Sequence, residues 1–352
     1  MSYKYTHFIK QNIAPKGAKS IGVYDTSGKK IATIPLGRMA PPTKEKLCSI
    51  GIVADVHFAH VNTVAWTPHI KFDNALTYFE NQGCAFCCVG GDMTQTGFYM
   101  EGDTNTLHTT QFEQYKQICD KHTIPVYELC GNHESYVKAI INNLTELRNY
   151  AGAEMHYSVT QGNDVYIFLS QPSGSVPMTD AALQWLYETL EANRNKRCFI
   201  FVHPYLESGN VKDKNGNNIY GNNVFEWWGE KTIIFKNLLK HYKNTVLFHG
   251  HSHFMFECQE LDKTANYTEN GGFRSVHIPS LTRPANVVDD IRGGDDTLSY
   301  GYLMDVYDDF IVLNGMDFII NKPVPLGTFK IDTTLETIEA NTFTDSTGTI
   351  TV

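Results

Sequence analysis

An α/β fold is predicted for this chain of 352 residues by three features of its sequence. From Cys48 onward, apolar runs of strand length alternate with segments whose apolar residues recur three and four positions apart. Five of the six apolar runs in this stretch end in Asp, Asn or His, several beside glycine, rather than in more apolar sequence. Beyond residue 300 the helical spacing disappears and strand-like sequence remains. Alternation of this kind builds a core of sheets with helices laid against them.

In chain order, KSIGVYDTSGKKIATIPL (residues 19–36) reads as two short strands joined by DTSG, an N-terminal hairpin. MAPPTKEK follows as a linker, because Pro41 and Pro42 block regular structure. Residues 1–45 are therefore taken as hairpin and linker, and 46–322 as the main domain. Its predicted strands are SIGIVAD, CAFCCVGGD, IPVYELCGN, DVYIFLSQ, KRCFIFVHP and NTVLFHGH. Between them FDNALTYFENQ, TTQFEQYKQICDKH, ALQWLYETLEAN and KTIIFKNLLKHY carry the helical spacing. The stretch YGYLMDVYDDFIVLNGMDFII reads as strands broken at Asp308-Asp309 and at Asn314-Gly315. Residues 323–352, rich in threonine and acid, form a C-terminal β appendage or tail.

Composition bounds the function. A hydrophobic content of 42% with 12% aromatic residues suits a globular protein with a large core. The formal net charge of -9 disfavours a general nucleic-acid binder, whose affinity would come from a basic surface. The N-terminal MSYKYTHFIKQNIAPKG has no apolar core of a secretory signal, and no apolar run approaches the ~18 residues of a membrane span. Eight cysteines include the C-x-x-C of CAFCC, a spacing used in zinc and redox sites. That run is apolar and enters a Gly-Gly turn, which favours small buried thiols in a strand. A reducing, cytoplasmic setting is expected on these grounds.

The chemistry gathers at the strand ends ADVH, GGD, GNH, VHP and HGHSH. In open α/β sheets ligands bind beyond the carboxyl ends of the strands. The inventory there is Asp55, His57, Asp92, Asn132, His133, His203, His251 and His253. If Asp55-Val56-His57 and His251-Ser252-His253 are extended, each pair of outer residues shares one face. Mixed oxygen and imidazole donors suit Zn, Fe, Mn or Ni.

In this order, DVH, GDMTQTG, GNHE, the histidine of VHPY and GHSH resemble the signature of the calcineurin-like metallophosphoesterase superfamily. The resemblance covers roughly residues 48–320. It implies two packed mixed β-sheets flanked by helices, a four-layer fold with two metal ions at one edge. By position, Asp55, His57 and His253 resemble the ligands of one metal, and Asn132, His203 and His251 those of the other, with Asp92 bridging. His133 corresponds to the family's proton donor to the leaving oxygen, a task suited to imidazole near neutral pH. Two cations ~3.5–4 Å apart would neutralise phosphoryl oxygens and hold a bridging water or hydroxide in line. The expected activity is hydrolysis of small phosphate esters, phosphodiesters preferred and monoesters possible.

Two positions depart from the family pattern. Gln95 stands where relatives carry an aspartate that supports the proton-donating histidine, which predicts a lower acid limb of the pH–rate profile. Thr96 stands where phosphoprotein phosphatases of the superfamily carry an arginine, so the pattern is closer to the cyclic-nucleotide and small phosphodiester branch. Around the site, Phe225, Trp227 and Trp228 could stack a base or belong to a core, and Arg283 and Arg292 could meet phosphate or water. His60 could stand near the mouth of the site, while His108 and His156 have no motif context. The rival reading is a binding or assembly protein on the same fold, docking through its terminal extensions. The complete donor set disfavours it, since a scaffold needs none.

Overall fold

The computed structural model describes residues 20–24, 30–35, 44–59, 67–95, 104–134, 156–171, 178–206, 231–261, 265–269, 271–285 and 294–351. His60, Thr96, Phe225, Trp227, Trp228, Arg292 and the side chain of His108 lie outside them. The chain divides into two compact units, residues 1–45 and 46–352. In the first, β1 (Ser20–Tyr24) pairs antiparallel with β2 (Lys30–Pro35).

The second unit holds two mixed sheets. One is built on β3 (Cys48–Val53), β4 (Cys87–Val89) and β5 (Val126–Glu128), which run parallel. It continues antiparallel from β3 through β12 (Tyr300–Val306) to β13 (Phe310–Asp317). The other contains β6 (His156–Gln161), β7 (Asp164–Leu169), β8 (Cys198–Val202), β9 (Thr245–His249), β10 (Tyr267–Thr268) and β11 (Arg274–His277). Its strands β7, β8, β9 and β11 are parallel neighbours, with β6 and β10 antiparallel at the edges.

Alternation along each strand separates the layers. In β7, Tyr166 and Phe168 join Ile50, Ile52 and Tyr302 in the core between the sheets. The intervening Val165, Ile167 and Leu169 face a different partner, the apolar side of α3 (Asp180–Ala192) and α4 (Lys231–His241). On the far side α1 (Pro68–Asn81) and α2 (Thr104–Cys119) cover Val53, Cys87 and Val89. The order is helix, sheet, sheet, helix. Helix α1 buries Phe72, Ala75, Leu76 and Phe79, the spacing that identified it as a helix. Thr179 starts α3 by accepting a hydrogen bond from the Ala182 amide at 3.1 Å. Cys87 and Cys88 lie buried on opposite faces of β4, and all eight thiols are free.

Two local expectations are corrected. Asn314-Gly315 does not break a strand, and β13 runs through it. Gly315 serves a close approach instead: a Cβ there would stand 2.9 Å from the Phe256 ring and 2.8 Å from the Gly327 Cα. Short elements without a clear periodic signal, β6, β10, β11 and α5 (Cys258–Leu261), escaped the sequence reading. At the C-terminus, β14 (Phe329–Asp332) pairs antiparallel with β13. The chain then lays Ile338, Phe343 and Ile350 into the apolar layer around α3 and α4.

Candidate metal centre

The parallel strands of both sheets end at one edge of the sandwich, and their following loops knit together there. The amides of Asp55 and His57 donate to the carbonyls of Gly91 and Asp92 at 3.0 and 2.9 Å. Gly250, after β9, donates to the carbonyl of His203, after β8, at 3.1 Å. Glycine is needed where these loops cross. A Cβ on Gly131 would fall 2.1 Å from Asp92 Oδ1, and one on Gly250 2.7 Å from Asp55 Oδ2.

The second correction of local structure concerns the pairs D-x-H and H-x-H. They are not extended. Asp55, His57, Asp92, His251 and His253 all have left-handed backbone, with φ of 51, 53, 52, 73 and 58°. Only eight non-glycine residues with positive φ occur among the described residues, so the conformation is concentrated at this edge. Each costs on the order of 1–2 kcal/mol and persists only where neighbours hold it. The turn back at each residue aims both side chains of a pair at one point.

All eight candidate residues meet at that point. His253 Nε2 lies 3.0 Å from His57 Nε2 and 3.1 Å from Asp55 Oδ1. His203 Nε2 lies 3.1 Å from Asp92 Oδ2 and 3.0 Å from Asn132 Oδ1. Asp92 Oδ2 stands between these groups, 3.9 Å from His57 Nε2 and 3.7 Å from His133 Nε2. Donor atoms of Asp55, His57 and His253 fall within 4.8 Å of one another, as do those of Asp92, His203 and His251, and those of His57, Asp92 and His133.

Two imidazoles have their tautomers set by carbonyl oxygens, which can only accept. His203 Nδ1–H donates to the Gly90 carbonyl at 2.9 Å, leaving Nε2 to face Asp92. His133 Nδ1–H donates to the Gln95 carbonyl at 2.8 Å. The partner at position 95 is therefore main chain, which any residue there supplies. His249, the first histidine of HGHSH, belongs to the intersheet layer instead, 4.7 Å from the Tyr205 ring; burial lowers it to about 3.

The electrostatics ask for positive charge. Burial by itself would raise the Asp55 and Asp92 carboxyls, yet neighbouring histidines hold both below the usual carboxylate range, His253 chiefly for Asp55 and His203 for Asp92. Burial also opposes a charge on His203, but Asp92 and Asp55 outweigh it and raise the imidazole to about 10. His251 is lowered to about 4 and His57 well below its ordinary value, burial being the larger cause for each. Among the described residues no lysine or arginine pairs with Asp55 or Asp92. Two buried carboxylates beside the imidazoles of His57 and His251, which burial keeps neutral, form a site that fits cations.

Glu134, which the sequence reading passed over as the last letter of GNHE, completes the architecture. It is fully buried. Its Oε2 accepts from the amides of Asp92 (2.9 Å) and Gly131 (2.8 Å), its Oε1 from the amide and hydroxyl of Thr94 (2.7 and 3.1 Å). Burial and then the Asp92 carboxylate push it up to about 7, against the pull of the Thr94 and Gly131 amides. The available signal was its acid at a buried strand end, where only backbone donors can satisfy it.

Comparison with known proteins follows the same lines. Residues 48–255 match the family described as calcineurin-like phosphoesterase. The fold is similar to a dimetal phosphatase from Danio rerio, with a TM-score of 0.56 at 12% identity, covering 82% of this chain and 100% of that one. It is also similar to a purple acid phosphatase from yellow lupin (Lupinus luteus) seeds, with a TM-score of 0.51 at 14% identity, covering 81% of this chain and 53% of that one. Among curated proteins none matches the sequence. With its family match, its paired mixed sheets and its cluster of aspartate and histidine donors, the chain belongs to the calcineurin-like phosphoesterase family.

Proposed function

We propose that the chain hydrolyses small phosphate esters, with a preference for phosphodiesters, at a centre that holds two metal ions of the Mn, Fe, Zn or Ni class. Asp55, His57 and His253 would hold one ion and Asn132, His203 and His251 the other, with the Asp92 carboxylate placed to serve both. The observation that carries this reading is the placing of Asp92: its Oδ2 lies 3.1 Å from His203 Nε2 and 3.9 Å from His57 Nε2, one nitrogen from each half of the donor set. Bound there, two cations would neutralise the phosphoryl oxygens and activate water for in-line attack.

The chain's own residues do the remainder. Gly90 holds His203 in the tautomer that presents Nε2 inward, and Gln95 does the same for His133. His133, whose Nε2 lies 3.7 Å from Asp92 Oδ2, would hand a proton from that nitrogen to the leaving oxygen. The diester preference is supported by Thr96, which supplies no guanidinium clamp for a dianionic monoester. A cytoplasmic setting belongs to the same proposal and is supported by the eight free thiols. No helix among the described residues is long and apolar enough to cross a membrane.

The test is hydrolysis of bis-p-nitrophenyl phosphate with added Mn²⁺, which Asp92→Ala should abolish. Wild-type turnover of the mono- but not the bis-nitrophenyl ester would remove the diester preference. His133→Ala should slow esters with alkyl leaving groups by ~10²–10⁴-fold and nitrophenyl esters less, since nitrophenolate leaves without a proton.

A further inference from the structure

Lys71, the fourth residue of α1, is completely buried, although lysine is rarely buried without an ion pair. Its ammonium donates instead to two main-chain carbonyls, Thr282 at 2.6 Å and Asp296 at 2.8 Å. Burial lowers the ammonium to about 8, against the carboxylates of Asp296, Asp295 and Asp317, which favour its charge from further off. Taking a lysine out of water costs several kcal/mol before any compensation, so the placement calls for a function.

The strip that Lys71 grips, Ser280–Ala285, reaches both strained ends of one half of the donor set. Ser280 Oγ and Thr282 Oγ1 both donate to the carbonyl of Asp55, at 2.9 and 3.2 Å, and the Leu281 amide donates to the neighbouring carbonyl of Ala54 at 2.9 Å. At its other end the Ala285 amide donates to the carbonyl of His253 at 2.5 Å. Asp55 and His253 are two of the left-handed residues, with φ of 51 and 58°. Backbone held in such a conformation relaxes unless its peptide groups are tied on several sides. The strip supplies those ties, and Lys71 ties the strip.

We propose that Lys71 is a positioning residue for the half-site of Asp55, His57 and His253: it fixes the Ser280–Ala285 strip, which holds Asp55 and His253 in the backbone conformation that aims their side chains at a cation. This rests on the two-metal reading above. The Asp92, His203 and His251 half-site keeps its own supports at Gly90 and Glu134.

The experiment is calorimetric Mn²⁺ titration of the full chain, with elemental analysis of bound metal. Wild type is expected to take up two ions. Lys71→Met keeps the apolar stem and removes the donors; it should weaken one ion by ~10–100-fold and leave the other unchanged. Ser280→Ala with Thr282→Val removes both strip bonds to the Asp55 carbonyl without touching Lys71, and should weaken the same single ion. The two lesions combined should be no worse than the stronger alone, because both act through one strip. If Lys71→Met does not fold, the Ser280/Thr282 variant decides by the same selective loss. A folded Lys71→Met that binds both ions with wild-type affinity, or weakens both equally, overturns the inference while the two-metal reading stands. Wild type that binds no pair of ions overturns the reading and the inference with it.

Discussion

The carboxylate of Glu134 shows how much of this site is built from supports rather than donors. Four hydrogen bonds converge on its two oxygens, three of them from main-chain amides that flank Asp92 and Asn132. An ionised carboxylate is acceptor on both sides, so each donor is satisfied. Glu134→Gln keeps the shape but turns an amide NH₂ toward backbone N–H groups, leaving donor against donor. The expected outcome is a loss of ~10–100-fold in affinity for metal at the Asp92 centre, read by Mn²⁺ titration, together with a fall in stability of about 1–3 kcal/mol in urea unfolding. The eight donor residues were legible because each stands directly after an apolar run. The positive φ that makes five of them converge was not, since Asp and His adopt left-handed backbone only when neighbouring chain holds them there.

At the scale of elements, α1 and the end of α2 are stapled by a polar cluster away from the centre. His122 stands between Glu80, with Nδ1 at 2.9 Å, and Asp73, with Nε2 at 3.0 Å. Glu80 also accepts from the Thr123 hydroxyl at 2.9 Å and the Ile124 amide at 3.1 Å. The His122 bond chiefly, against a small opposing effect of burial and aided by the Thr123 and Ile124 bonds, lowers the Glu80 carboxyl from 4.5 to about 2. A carboxyl depressed in the folded state stabilises above its unfolded value and loses that contribution as pH falls toward the folded one. Thermal stability should therefore drop between about pH 4.5 and 2 more steeply in wild type than in Glu80→Gln, whose Tm is lower at neutral pH. Parallel Tm curves for the two proteins across that range would remove Glu80 from the acid response. These helices were readable from their spacing; the staple was not, because Asp73, Glu80 and His122 are remote in sequence and polar everywhere.

Across the whole unit of residues 46–352, the C-terminal segment fastens the outer helices. Phe343, only 4% exposed, packs against the rings of Tyr187 at 5.6 Å and His241 at 5.4 Å. The Asn341 amide donates to Glu191 at 3.0 Å and the Thr351 amide to Gln184 at 2.8 Å. A second tie joins the sheets at the end away from the strand-end loops. Arg197 forms a fork with Asp164 at 2.7 and 2.6 Å and donates to the Tyr307 carbonyl and to Thr333 Oγ1. Phe343→Ala should cost about 3 kcal/mol of unfolding free energy while the metal content stays at the wild-type level, since the residue lies against the outer layer and not at the strand ends. A loss of metal without a loss of stability would contradict that separation.

The sequence by itself determined the α/β class and the alternation that sorts each strand's two faces, and it named the candidate donors. Those follow from local periodicity and from the few side chains that can bind a cation. Only the tertiary structure decided how the donors meet. Strands from two different sheets must end at the same edge, turn back through left-handed residues, and be pinned there by Glu134, Gly90 and the strip that Lys71 grips. Those contacts join residues up to 227 positions apart, and no window of sequence contains both partners.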